Sequence, residues 1–168
     1  MQNKNLIYWT MIFGIATTLF IVACNKTGVD LINFEVLIKS YDAHTAEKSY
    51  LVIRNDKDYM DTLFAAGRLK GSSDSVEDYQ MIPVNFSRYY LIAVFQGQKN
   101  TGGYGIAVKK IIDEGDKLKV YVEEMSPGAG CPVTMAFTSP YSIVKIQKTG
   151  KEIIFKTDKI VTQCKNAG

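Results

Sequence analysis

Three glycines fall within four residues at Gly102, Gly103 and Gly105, beside the basic pair Lys109-Lys110. Closely spaced glycines can cradle a phosphate on backbone N–H groups. The dinucleotide-binding form, however, requires G-x-G-x-x-G between a strand and a helix. Here Val108 takes the third glycine position, and Tyr104, Ile106 and Val108 alternate with Gly105, Ala107 and Lys109 at strand period. No Walker pattern is present, so this is not a phosphate loop. Other chemistry is equally thin. Nucleophilic catalysis needs an activated Ser or Cys beside a base, but His44 is the single histidine and no G-x-S-x-G elbow occurs. There is no C-x-x-C, H-x-H or H-E-x-x-H for a metal. Glu123 and Glu124 are neighbours on a strand and point to opposite faces. Asp56, Asp58 and Asp61 surround a helix amino end, where negative charge is stabilising. The expectation is a protein that is not an enzyme and uses no cofactor or metal.

The elements that would position these residues are mostly strands. "LINFEVLIKS" places Ile32, Phe34, Val36 and Ile38 on one face, and "SYLVIRN" is a second strand. A helix of about 56–66 follows, capped by Asn55 or Asp56 and ended by Gly67, with Tyr59, Met60, Leu63 and Phe64 as its core stripe. After a polar loop over 68–80, "YYLIAVFQG" is apolar almost throughout, which predicts a central strand covered on both faces. "YGIAVKKI" and "LKVYVEEM" form a hairpin about "DEGDK". "SIVKIQ" and "EIIFKTD" predict a last hairpin about Lys148-Thr149-Gly150. The fold class is α+β: a mainly antiparallel sheet of about six to seven strands with one substantial helix. Gly102 and Gly103 suit a tight strand approach. Gly105 and Ala107 leave a shallow strand face, where another backbone or the helix could come close or where Tyr104 could form a docking patch.

The chain of 168 residues suits one domain. Its net charge of +3, with no long basic run, argues against nucleic-acid binding. The apolar stretch Leu6–Ala23 ends in Ile21-Val22-Ala23-Cys24, which resembles a bacterial lipobox. Residues 1–23 are expected to be a lipoprotein signal peptide, Cys24 the lipidated residue, 24–30 a short tether and 31–164 the domain. Acyl chains on Cys24 would hold the protein on a membrane at about 0.8 kcal/mol per buried methylene. A plain transmembrane anchor is the alternative. Asn25, rather than Asp, after the cysteine points to the outer membrane of a Gram-negative cell envelope. In that oxidising compartment Cys131 and Cys164 can pair, or remain two thiols.

"PVNFSRYYLIAVFQGQKNTGGYGIAV" followed by "LKVYVEEMSPGAGCPVTMAFTSPYSIVKI" resembles the carboxy-terminal domain family of PrcB, a protease complex subunit, over about Ile32–Phe155. Asn85 and Gly105 depart from residues common in that family. The resemblance implies a lipoprotein that accompanies an exported protease and carries no catalytic residues. The expected function is therefore a non-catalytic, lipid-anchored accessory protein that binds another protein. Its candidate surface is Thr101, Gly102, Gly103 and Tyr104 with the long loop marked by Pro127, Gly128, Pro140 and Tyr141. A small-ligand binder, or an enzyme with a pocket between helix and sheet, is the rival.

Overall fold

The computed structural model describes residues 30–68 and 81–164. The expected signal peptide, Cys24, residues 24–29 of the tether and most of the polar 68–80 loop lie outside the described residues. Among the described residues there are eight strands and one helix: β1 (Asp30–Ile32), β2 (Glu35–Ser40), β3 (Ser49–Ile53), α1 (Asp56–Ala65), β4 (Tyr89–Phe95), β5 (Gly105–Asp113), β6 (Lys117–Pro127), β7 (Tyr141–Gln147) and β8 (Glu152–Thr162). They build two four-stranded sheets, ordered β1-β5-β6-β8 and β2-β7-β4-β3. The class is α+β, and every strand pairing is antiparallel except β6 with β8.

The β2-β7-β4-β3 sheet is the middle layer. Alternate residues of β4 therefore enter two cores, which explains its nearly unbroken apolar run. Ile92 and Val94 meet Ile106, Ile111, Val120 and Val122 of the other sheet. Leu91, Ala93 and Phe95 meet Tyr59, Leu63 and Ala66 of the helical layer. The helix starts where Asn55 accepts the Asp58 N–H through its side chain at 2.9 Å. It ends in a Schellman motif: the Gly67 N–H donates to the Phe64 carbonyl and the Arg68 N–H to that of Leu63, with Gly67 at φ +69°.

Four expectations need correction. The segment read as one strand over 31–40 is two, because the chain leaves one sheet after Ile32 and joins the other at Glu35. A register shift between Val36 and Ile38 then turns Val36 outward and seats Leu37 and Ile38 against the core. In the helix, the buried face is Tyr59, Thr62, Leu63 and Ala66, while Met60 and Phe64 are exposed. The last two strands are not a hairpin: β7 pairs with β2 and β4, whereas β8 crosses to the other sheet and runs parallel to β6. A short link had suggested a turn, but the chain uses it to change layers. Finally, the helix does not approach Gly105; the Met125 methyl lies over it instead.

Candidate functional site

Strand directions give the sandwich two poles. At the root pole lie Asp30, the β5–β6 turn and the β7–β8 link. The loop pole collects three connections: 41–48, 96–104 and 128–140. Backbone groups knit these three together. Lys99 and Thr138 exchange N–H···O bonds of 2.7 and 3.0 Å, the Gly102 N–H donates to the Thr134 carbonyl at 2.9 Å, and the Ser139 N–H donates to the Tyr41 carbonyl at 2.7 Å. The Thr138 hydroxyl adds a bond to the Thr101 carbonyl, and the Ser139 hydroxyl one to the Thr45 carbonyl, both 2.8 Å.

The glycines serve this junction. A Cβ on Gly102 would collide with the Thr134 hydroxyl. Gly103, at φ +86°, lies against Pro127 and Val133 in a conformation that favours glycine. Thr101, Gly102, Gly103, Tyr104, Pro127 and Gly128 are thus brought to one pole. Pro140 and Tyr141 are not part of that surface. Both are buried, and Tyr141 stacks on Phe95 with ring centroids 5.4 Å apart while its hydroxyl accepts from Arg68 Nε at 2.5 Å. Their position at the start of β7, whose residues pack into both cores, takes them inward.

Cys131 and Cys164 form a disulfide, with Cα atoms 5.4 Å apart. That spacing falls inside the normal range for the bond. It ties the long loop to the end of β8, where the Gly128 N–H also donates to the Thr162 carbonyl.

Between these loops lies an open groove of about 420 Å³, lined by Tyr41, Gly102, Tyr104, Met125, Thr134 and Thr138 among others. A second groove of about 390 Å³ shares Tyr41 and Thr138 and adds His44, Gln98 and Phe137. Tyr41 lines both grooves, Phe137 the second, and Met135 stands on the same loop as Phe137. These three are 50%, 72% and 88% exposed. The Lys99 ammonium lies 5.6 Å from the centre of the Tyr104 ring. Aromatic rings, threonine hydroxyls and apolar tips suit contact with a polypeptide. Among the described residues no group of His, Cys, Asp and Glu is placed to hold a metal. Sequence reasoning missed Tyr41, Met135 and Phe137. The available signal was "VTMAF", bulky apolar residues inside a loop rich in Gly, Pro, Ser and Thr.

A separate polar cluster joins the two sheets. Glu124, almost wholly buried, accepts from Tyr50 at 2.6 Å and pairs with Lys48 at 2.5 Å; Tyr50 also meets the Thr157 hydroxyl at 3.0 Å. Burial opposes the Glu124 charge, but the bonds from Lys48 and Tyr50 outweigh it and hold the carboxyl below its ordinary range. Burial, then the bond to Glu124, pushes the Tyr50 hydroxyl up. Its sequence signal was parity: Glu124 shares its strand face with Leu118, Val120 and Val122, whereas Glu123 faces out and pairs with Lys109 at 3.0 Å.

The model of the PrcB C-terminal family matches residues 90–147. This bears out the resemblance over β4 to β7, including the 96–104 and 128–140 loops of the loop pole. No curated protein and no solved structure matches the chain.

Proposed function

We propose that this chain is a non-catalytic, lipid-anchored accessory protein of the cell envelope, which uses its loop pole to bind another protein. The observation that carries this is the overlap of the family match at 90–147 with a pole exposing Phe137, Met135 and Tyr41 beside an open groove. Large exposed apolar side chains grouped at one end of a domain are typical of partner contacts. The family supports a subunit of an exported protease complex as the partner. Lipidation at Cys24, on the outer membrane of a Gram-negative bacterium, rests on the Ile21-Val22-Ala23-Cys24 pattern.

Packing between helix and sheet weighs against the rival ligand pocket. That layer is filled by Tyr59, Leu63, Ala66, Leu91, Phe95 and Ile143, all buried. The test is capture from detergent-solubilised host envelope with the full-length chain as bait, alongside Tyr104→Ala and Phe137→Ala. A stoichiometric partner lost with both variants, each shown to be folded, is the expected result. Capture unchanged by either variant would remove the loop pole from the proposal.

A further inference from the structure

β8 is an edge strand of 11 residues that, among the described residues, pairs only with β6. Its register with β6 runs unbroken from Lys117↔Glu152 to Pro127↔Thr162, without bulge, proline or glycine. Long, regular edges of this kind leave a row of N–H and C=O groups ready to pair with another strand, and folded proteins normally blunt them. Among the described residues nothing pairs with the outer edge of β8. Both Ile160 and Val161 are substantially exposed there.

The edge also has a direction. The Thr162 carbonyl turns towards β6, accepting the Gly128 N–H at 2.9 Å. In a strand the N–H and C=O of one residue point to the same side, and the side alternates along the chain. Ile153, Phe155, Thr157, Lys159 and Val161 therefore present their backbone groups outward.

We infer that β8 pairs with β8 of a second copy of this chain, antiparallel and centred on Thr157, joining two four-stranded sheets into one across a two-fold axis. The strand is self-complementary in this register. Lys156 falls opposite Asp158 of the other copy, and Asp158 opposite its Lys156. Ile154 meets Ile160, and Ile153 meets Val161. Opposed charges and apolar pairs at such positions stabilise a sheet, while like charges destabilise it. Moving the centre to Lys159 sets that lysine against itself, and moving it to Phe155 sets Asp158 against Glu152. Glu152, Lys156, Asp158 and Lys159 sum to no net charge, so two edges do not repel. Lys156 lies on the outer face of the sheet, with its ammonium 5.6 Å from the Tyr121 ring centre, while Phe155 and Thr157 face inward against Tyr50. The contact therefore adds a strand without unpacking the core. The two-fold axis of such a pair is normal to the sheet, so Asp30 of each copy lies at the same height.

The experiment measures the mass of the full-length chain in detergent by light scattering across a concentration series. Lys156→Asp and Asp158→Lys each place like charges opposite one another twice, and each should raise the dimer dissociation constant about tenfold or more. The double exchange Lys156→Asp with Asp158→Lys should restore it. Both positions are exposed, so thermal unfolding of the dilute, monomeric protein should be unchanged in all three. A wild-type chain that stays monomeric overturns the inference. So does a dimer indifferent to both single changes, which would assign association to another surface. Single-variant losses that the exchange does not repair overturn the register. A monomer whose capture of a protein partner is lost with Lys156→Asp gives the edge to a partner strand instead.

Discussion

The two poles of the sandwich solve one problem, closing the ends of strands, in different ways. The root pole adds ion pairs to its few backbone bonds, those from the Glu114 N–H to the Lys117 carbonyl and from the Lys148 N–H to the Arg88 carbonyl. Lys151 pairs with Asp113 and Lys119 with Glu114, each at 2.5 Å, and the Asp113 carboxylate also accepts the Gly115 N–H at 2.9 Å. The loop pole uses the main chain: Lys99–Thr138, Gly102–Thr134 and Tyr41–Ser139 are backbone bonds. A pole whose peptide groups satisfy one another leaves its side chains uncommitted. Tyr41, Met135 and Phe137 can face outward without leaving buried peptide groups unpaired.

The sharpest test of that contrast sets two aromatics of one segment against each other. Tyr141→Ala removes a buried ring and should cost about 3–5 kcal/mol of stability, read by chemical denaturation. Phe137→Ala, a few residues earlier, should change stability by about 0.5 kcal/mol or less and act on partner capture instead. Equal losses from the two would erase the distinction between a packed base and an exposed tip.

Next comes the disulfide, which closes a 33-residue separation. Cys164→Ser should lower stability by about 3–4 kcal/mol, measured under oxidising conditions against the wild type. The loss should vanish when both proteins are reduced. A difference that survives reduction would mean that the cysteine packs rather than links.

Tyr50→Phe should cost about 1–2 kcal/mol, because it deprives a buried carboxylate of one donor. The pH dependence has a defined sign. A carboxyl held below its ordinary value of 4.5 contributes stability that is present above that pH and lost as pH falls through the folded value. The advantage of wild type over Glu124→Gln should therefore shrink below pH 4.5. An advantage that is constant into acid would mean that Glu124 acts through shape alone. The smallest effect belongs to the root pole, where Lys119→Met should leave the thermal midpoint close to its starting value, since isolated surface pairs contribute little.

Much of the fold was legible because local signals agreed with the tertiary result. Asn55 and Gly67 bracket the helix as capping chemistry requires, and the apolar run Tyr89–Phe95 is buried on both faces. What failed was layer assignment. Period-two alternation is blind to which sheet a strand joins, so Asn33-Phe34 hid a crossing and Lys148–Lys151 imitated a hairpin turn. Burial within loops was equally opaque: Tyr141 was a surface candidate and Phe137 was not, and packing against Phe95 reverses the two. The junction of the glycine stretch with the 126–141 loop was legible as two candidate regions, though not as a mutual clamp.

The crossing at Asn33-Phe34 also sets a timetable. β1 must wait for Asp113 and its neighbours, and β2 for the segment Tyr141–Lys145, before either finds its hydrogen-bonding partners. Ordered pairing over such separations carries a large loop-closure penalty and slows folding. The pairs β3–β4 and β5–β6 are available early and β5 supplies the partner of β1, whereas β2 remains unpaired until β7, the last strand but one, has been made. Synthesis from the amino end thus delivers a chain that cannot close its sandwich prematurely.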